Sequence, residues 1–198
     1  MIEIKHVTNT YGKKSNAFVE LDDVNLSYPA GASVAILGKS GSGKSTLMHA
    51  MSGLDRPETG EVIIDGEDIL KLKQKAIDRF RATKMSFIFQ SFFVQANETC
   101  FDNVSLPLEI ADVAGSERKQ KVIAALEAVE LGDKVKSKAR NLSGGQKQRL
   151  AIARAIVNEP AVLVAVEPTG TLCNAKGDTI VNILLCRTRN TGTEIIIW

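Results

Sequence analysis

The stretch that constrains this chain most is Ser33-Val34-Ala35-Ile36-Leu37 running straight into Gly38-Lys39-Ser40-Gly41-Ser42-Gly43-Lys44-Ser45-Thr46. The first five residues have the β-rich character of a strand that stops at Gly38. The nine that follow fit the spacing GxxxxGK(S/T), and a helix is expected from about Lys44 to Ser52. A strand, a glycine-rich turn and a helix in that order make a phosphate-binding loop. Glycines let the backbone wrap closely, so that several N–H groups point into one concavity at the positive end of a helix. Gly38, Ser40, Gly41, Ser42, Gly43 and Thr46 therefore read as the cradle of a nucleoside triphosphate. Lys44 is placed to reach the β- and γ-phosphates, and the Ser45 hydroxyl to ligate Mg²⁺.

The rest of the chain alternates strands and helices. Short strands are expected over Ile2–Val7 and Phe18–Leu26, with turns at Gly12 and Pro29-Ala30-Gly31. Glu61–Ile64, closed by an Asp65-Gly66 turn, and Met85–Phe89 read as further strands. From about Glu117 to Leu131, Val122, Ile123, Leu126 and Val129 follow helical spacing, and a second helix spans Gly144–Val157 with Leu150, Ile152, Ala153 and Ile156. Ala161–Val166 is a continuous apolar run, the mark of a strand buried on both faces of a parallel sheet. A helix over Ala175–Arg187 and a last strand over Glu194–Trp198 complete the pattern. This order implies an α/β architecture with a parallel sheet and a more helical insertion in the middle.

Composition narrows the function classes. At ~150 residues per domain, 198 residues make one domain. Lys and Arg number 25 against 23 Asp and Glu, so no basic excess points to nucleic acid. No apolar run approaches the ~18 residues of a membrane span, and Met1-Ile2-Glu3-Ile4-Lys5 has no apolar secretory core. Cys100, Cys173 and Cys186 lack CxxC spacing and read as free thiols of a reducing compartment. The only two histidines are His6 and His49.

Asn141-Leu142-Ser143-Gly144-Gly145-Gln146 is a second amide-rich segment, with Ser143 a plausible helix cap. Together with the phosphate loop it resembles the ATP-binding-cassette (ABC) ATPases, whose signature is LSGGQ. The resemblance implies a P-loop NTPase (RecA-like) parallel core, an N-terminal antiparallel β subdomain and an inserted helical subdomain, with the C-terminal end of the domain truncated. It divides the single domain, 1–198, into a nucleotide-binding core of 1–89 and 150–198 and a helical signature subdomain of 90–149. It also implies a head-to-tail pair of ATP-binding subunits, alike or different, in which Ser143, Gly144, Gly145 and Gln146 of one close over the ATP of the other. Matched residue by residue, Tyr11 corresponds to the aromatic that stacks on adenine; surface packing is its alternative. Gln90 corresponds to the glutamine that senses Mg²⁺ and the attacking water, and Glu167 to the general base. Lys44, Gln90 and Glu167 thus form the implied catalytic set, and Ser45 and Gln90 the implied metal ligands.

Gln90-Ser91-Phe92, Asp102-Asn103-Val104-Ser105-Leu106-Pro107-Leu108 and Leu54-Asp55-Arg56-Pro57 resemble the branch of macrolide exporters and lipoprotein-release ATPases. Those ATPases work at the cytoplasmic face of the cell membrane, bound to an integral membrane permease. Phe92-Phe93 would lie near that contact, or else in the core. Three features depart from the family. Val166 stands where an aspartate holds Mg²⁺, Cys173 stands where an aspartate faces across the dimer, and no histidine follows the final strand. ATP binding with weak hydrolysis is the expectation, and Ile195-Ile196-Ile197 is expected to form a poorly covered edge. A non-hydrolysing partner that completes another subunit's site is the alternative. Soluble ABC ATPases of repair or translation rank lower, for want of a coiled-coil insertion or a second cassette.

Overall fold

The computed structural model describes residues 1–12, 17–39, 41–89, 91–166 and 193–197. Its elements run β1 (Ile2–Tyr11), β2 (Phe18–Tyr28), β3 (Ser33–Ala35), α1 (Lys44–Met51), β4 (Thr59–Ile64), β5 (Glu67–Asp68), α2 (Gln74–Lys84), β6 (Met85–Ile88), α3 (Cys100–Ile110), α4 (Gly115–Ala128), α5 (Gly144–Ile156), β7 (Val162–Ala165) and β8 (Glu194–Ile197). The helix expected over 175–187 lies outside the described residues, as do Cys173 and Cys186; Cys100 is a buried free thiol.

Two sheets organise these elements. The N-terminal one is antiparallel in the order β2-β1-β4-β5, and the other is parallel in the order β3-β8-β7-β6. In β1 the buried side chains alternate through Ile2 and Ile4, then resume at Val7 after one extra residue. That residue marks a bulge: the register shifts between Ile4 and Val7, and His6 takes a φ of 51°. The imidazole Nδ1 of His6 lies 2.7 Å from Asp23 Oδ1. Gly60 on β4 faces the bulge with a φ of 101°, and a Cβ there would stand 2.6 Å from the His6 carbonyl oxygen. Only glycine fits.

The inner strands β7 and β8 are covered on both faces, which explains the continuous apolar run of the sequence. Successive side chains of a strand point to opposite faces. Val162 and Val164 of β7 and Ile196 of β8 pack with α1, α2 and the antiparallel sheet. Leu163, Ala165 and Ile195 pack instead with α3, α4 and α5. Each strand therefore belongs to two cores at once.

The expected poorly covered edge at Ile195-Ile196-Ile197 is corrected here. β8 lies inside the sheet, bonded to β3 on one side and β7 on the other, with Ile195 fully buried and Ile196 2% exposed. The crossover topology places the last strand in sequence between two earlier ones, so its backbone groups are paired on both sides. The first strand of the phosphate-loop unit is shorter than the expected Ser33–Leu37. Ile36 still donates to the Ile197 carbonyl at 2.8 Å, but the chain then leaves the sheet and Leu37 is 89% exposed.

Two helices escaped the sequence analysis. In α2 only Ile77 is buried, so its apolar period is weak. In α3, Pro107 sits inside the helix, a residue that normally argues against one. A capping box offsets it: Thr99 accepts from the Asp102 N–H while the Asp102 carboxylate accepts from the Thr99 N–H. The helix expected to reach Leu131 ends at Ala128. Glu130 adopts a φ of 58°, and the Leu131 and Glu130 N–H groups return to the Leu126 and Glu127 carbonyls at 2.8 and 3.0 Å. This pattern closes a helix and seats Leu131 beside Leu126 in the core.

Because Ile195 sits in the centre of the parallel sheet, Ile195→Ala is expected to lower the free energy of unfolding by about 3 kcal/mol in a urea titration. A strand at a solvent edge would lose far less.

Candidate functional site

The chain leaves β3 at the carboxyl end of the parallel sheet, where ligands of α/β sheets gather, and turns into α1 through the glycine-rich loop. Gly43, the N-cap of α1, has a φ of 79°, and a Cβ on it would stand 2.9 Å from the Glu20 carbonyl oxygen of β2. Backbone therefore packs on backbone at the base of the loop. The Lys44 ammonium folds back over the loop, donating to the carbonyls of Gly38 (2.9 Å) and Lys39 (2.7 Å) and to Ser42 Oγ (3.2 Å). A cation held by neutral acceptors gains when charged oxygens replace them. Gly41 and Ser42 are exposed in the loop, Ser45 is exposed in the first turn of α1, and Thr46 is buried beneath it. Ser40 lies outside the described residues.

The strands β6 and β7 end on the same edge of the sheet. Ala165 pairs with Ile88, and the Val166 N–H donates to the Ile88 carbonyl at 2.8 Å. Gln90 and Glu167 follow these two strand ends in sequence, but both lie outside the described residues. Val166 is half-buried against the core of the antiparallel side and brings no oxygen to this edge.

Ser143 caps α5. Its hydroxyl accepts from the Gln146 N–H (3.4 Å), and the Gln146 side chain accepts from the Ser143 N–H (2.9 Å). This capping box fixes the first turn. Gly144 is exposed, has an ordinary helical backbone, and a Cβ placed on it would meet nothing within 4 Å. Among the described residues no contact requires glycine at this position, where alanine is the better helix former. Ser143 to Gln146 open a helix that packs with α3 and α4, whereas α1 packs with the antiparallel sheet. The structure thus sets the two amide-rich segments on different cores.

Tyr11 ends β1. Its hydroxyl donates to the Asp55 carboxylate, and its ring lies tilted by 41° to that of Phe18, 6.3 Å between centroids. Asp55 entered the sequence analysis only as one letter of a run, because nothing in one sequence says that it meets a residue so far upstream. A hollow of about 270 Å³ lies between the two cores, lined by Arg81, Phe87, Leu106, Pro107, Ile110 and Arg154. Arg154 donates to the carbonyls of Phe92 (3.2 Å) and Phe93 (2.8 Å), and burial lowers its pKa. Phe93 and Ile110 are 67% and 64% exposed.

The profile of the ABC transporter family matches residues 21–170. The chain belongs to the ABC transporter ATP-binding family. It is 41% identical over 197 residues to the uncharacterized ABC transporter ATP-binding protein YvrO of Bacillus subtilis, covering 100% of this chain and 86% of that protein. It is likewise 41% identical over 184 residues to the macrolide export ATP-binding/permease protein MacB of Hyphomonas neptunium, covering 93% of this chain but only 28% of that longer protein. Among solved structures, the dimeric post-hydrolysis state of the ATP-binding cassette MJ0796 bound to ADP and Pi superposes with a TM-score of 0.89 at 35% identity, over 100% of this chain and 87% of that one. These likenesses agree with the α/β, P-loop NTPase fold and with membership of a family of ATPases.

The donor set of this ABC chain suits a nucleotide carrying Mg²⁺. Magnesium takes one or two protein ligands and fills its shell with phosphate oxygens and water, and the exposed Ser45 hydroxyl beside the loop is a ligand of that kind. Among the described residues no helix is long and apolar enough to cross a membrane. The cap at the signature segment makes its own prediction: Ser143→Ala is expected to cost about 1 kcal/mol in chemical denaturation, while Gly144→Ala leaves stability unchanged or raises it.

Proposed function

We propose that this chain is the ATP-binding subunit of a membrane transporter, holding ATP at its phosphate loop and passing the energy of binding to a permease. The observation that carries the reading is the Gly38–Thr46 loop at the carboxyl edge of the parallel sheet, with the Lys44 ammonium folded onto three neutral oxygens. Arriving β- and γ-phosphates would take over that cation, the loop amides and the Ser45 hydroxyl. Tyr11 would stack on the base. Gln90 would sense Mg²⁺ and the water, and Glu167 would act as the general base.

That a Cβ on Gly144 would meet nothing among the described residues supports a site completed by a second ATP-binding subunit, alike or different. The exposed backbone at Ser143 and Gly144 would let a phosphate-bearing surface approach the start of α5 closely. The cytoplasmic face of the cell membrane is the matching location. The permease would seat against the hollow between the cores, near Phe92-Phe93, where apolar Leu106, Pro107 and Ile110 meet two guanidinium groups.

Hydrolysis is proposed to be weak. An electrostatic anchor at a developing charge is typically worth ~10²–10³ in rate, and Val166 and Cys173 stand where the family resemblance places carboxylates. The same two positions, beside an intact Ser143-Gly144-Gly145, favour a second reading: a subunit that completes the ATP site of a different cassette.

Titration calorimetry with MgATP is expected to show saturable binding that Lys44→Ala reduces at least about tenfold. No binding by the unaltered chain would overturn the proposal. A phosphate-release assay is expected to show slow turnover that rises with Val166→Asp. Turnover that this substitution leaves unchanged would remove Val166 as the cause. Mixing with a second cassette and finding new ATPase activity would favour the completing subunit over the self-paired one.

A further inference from the structure

Tyr11 is held by an interaction that its proposed stacking role does not require. The residue ends β1, one position before Gly12, where a ring with no tether would sample several rotamers. Instead its hydroxyl donates to Asp55 Oδ2. Asp55 is itself fixed at the far end of α1. The Leu54 and Asp55 N–H groups both return to the His49 carbonyl, at 2.9 and 3.1 Å, and Asp55 Oδ1 accepts from the Arg56 N–H at 2.9 Å. Asn9, only 4% exposed, sends its amide toward the same carboxylate oxygen at 3.5 Å. The phenol therefore ties the end of β1 to the turn that follows α1, the helix that the phosphate loop opens.

We propose that Asp55 is a positioning residue for base recognition, locking the Tyr11 ring at a fixed place relative to the phosphate loop before the nucleotide arrives. The proposal rests on the reading that Tyr11 stacks on the base. Its physical basis is preorganisation: a side chain already held in its binding rotamer loses no further freedom when the ligand binds. The charges are consistent with a stable tether. The bond to Asp55 raises the Tyr11 pKa and, from the other side, lowers that of Asp55, so donor and acceptor keep their states through the neutral range. Asn9 supports the carboxylate from beneath, and Phe18 limits the ring from the side.

Two probes separate base from phosphate: ATP and inorganic tripolyphosphate, each titrated calorimetrically with Mg²⁺ onto the full chain. Tyr11→Phe keeps the ring and removes the tether. It is expected to weaken ATP binding about three- to tenfold, the equivalent of one newly immobilised side chain, and to leave tripolyphosphate binding unchanged. Asp55→Ala should match it, and the double substitution should add nothing further. Tyr11→Ala should weaken ATP more than Tyr11→Phe does. If Tyr11→Ala weakens ATP but Tyr11→Phe does not, the tether is dispensable and the proposal fails while the stacking reading stands. If neither changes ATP binding, the stacking reading fails and takes the proposal with it. If Tyr11→Phe weakens tripolyphosphate as well, the hydroxyl supports the phosphate loop rather than the base, and the proposal is overturned.

Discussion

The structure depends on strands that serve two cores at once. Because β7 and β8 are buried on both faces, Val164 and Ile196 face one core while Leu163 and Ile195 face the other. Neither core can shift without moving the sheet between them, and the sheet edge is where the phosphate loop and the ends of β6 and β7 converge. Close packing transmits such displacement, since interiors have little free volume to absorb it. A hollow remains between the cores, with Arg154 bonded to the backbone of Phe92 and Phe93 beside it. A body that seats there touches the seam between the two cores.

Charge is handled sparingly at the candidate site. Among the described residues Lys44 meets the neutral oxygens of Gly38, Lys39 and Ser42. Asp55 is engaged by the Tyr11 hydroxyl and the Arg56 N–H. The signature segment has no charged side chain among Ser143, Gly144, Gly145 and Gln146, so in the proposed role backbone amides and the helix dipole would supply its affinity for anions. Val166, a side chain with no oxygen, stands where the two strands end and packs against the adjoining core.

Much of this was legible in one sequence because the signals are local. The spacing of Gly41, Gly43 and Lys44 specifies a loop, and the capping pair Ser143 and Gln146 specifies a helix start. The period of Val122 and Leu126 specifies the face of α4. Local signals failed where two effects opposed each other. Pro107 masks α3, although the Thr99–Asp102 capping box was there to be found. α2 buries a single apolar residue and so has almost no period. The end of α4 at Glu130 was hidden because glycine, the usual marker of that turn, is absent.

The sequence by itself determined the α/β alternation, the phosphate loop, the amide-rich start of α5 and the family, since each depends on residues within one turn or one strand of each other. Only the tertiary structure decided that β8 lies inside the sheet, that Asp55 meets Tyr11, and that the two amide-rich segments stand on different cores. Those facts follow from crossover connections and from packing between distant segments. One chain read alone carries no record of which of its many apolar strands and polar side chains become neighbours.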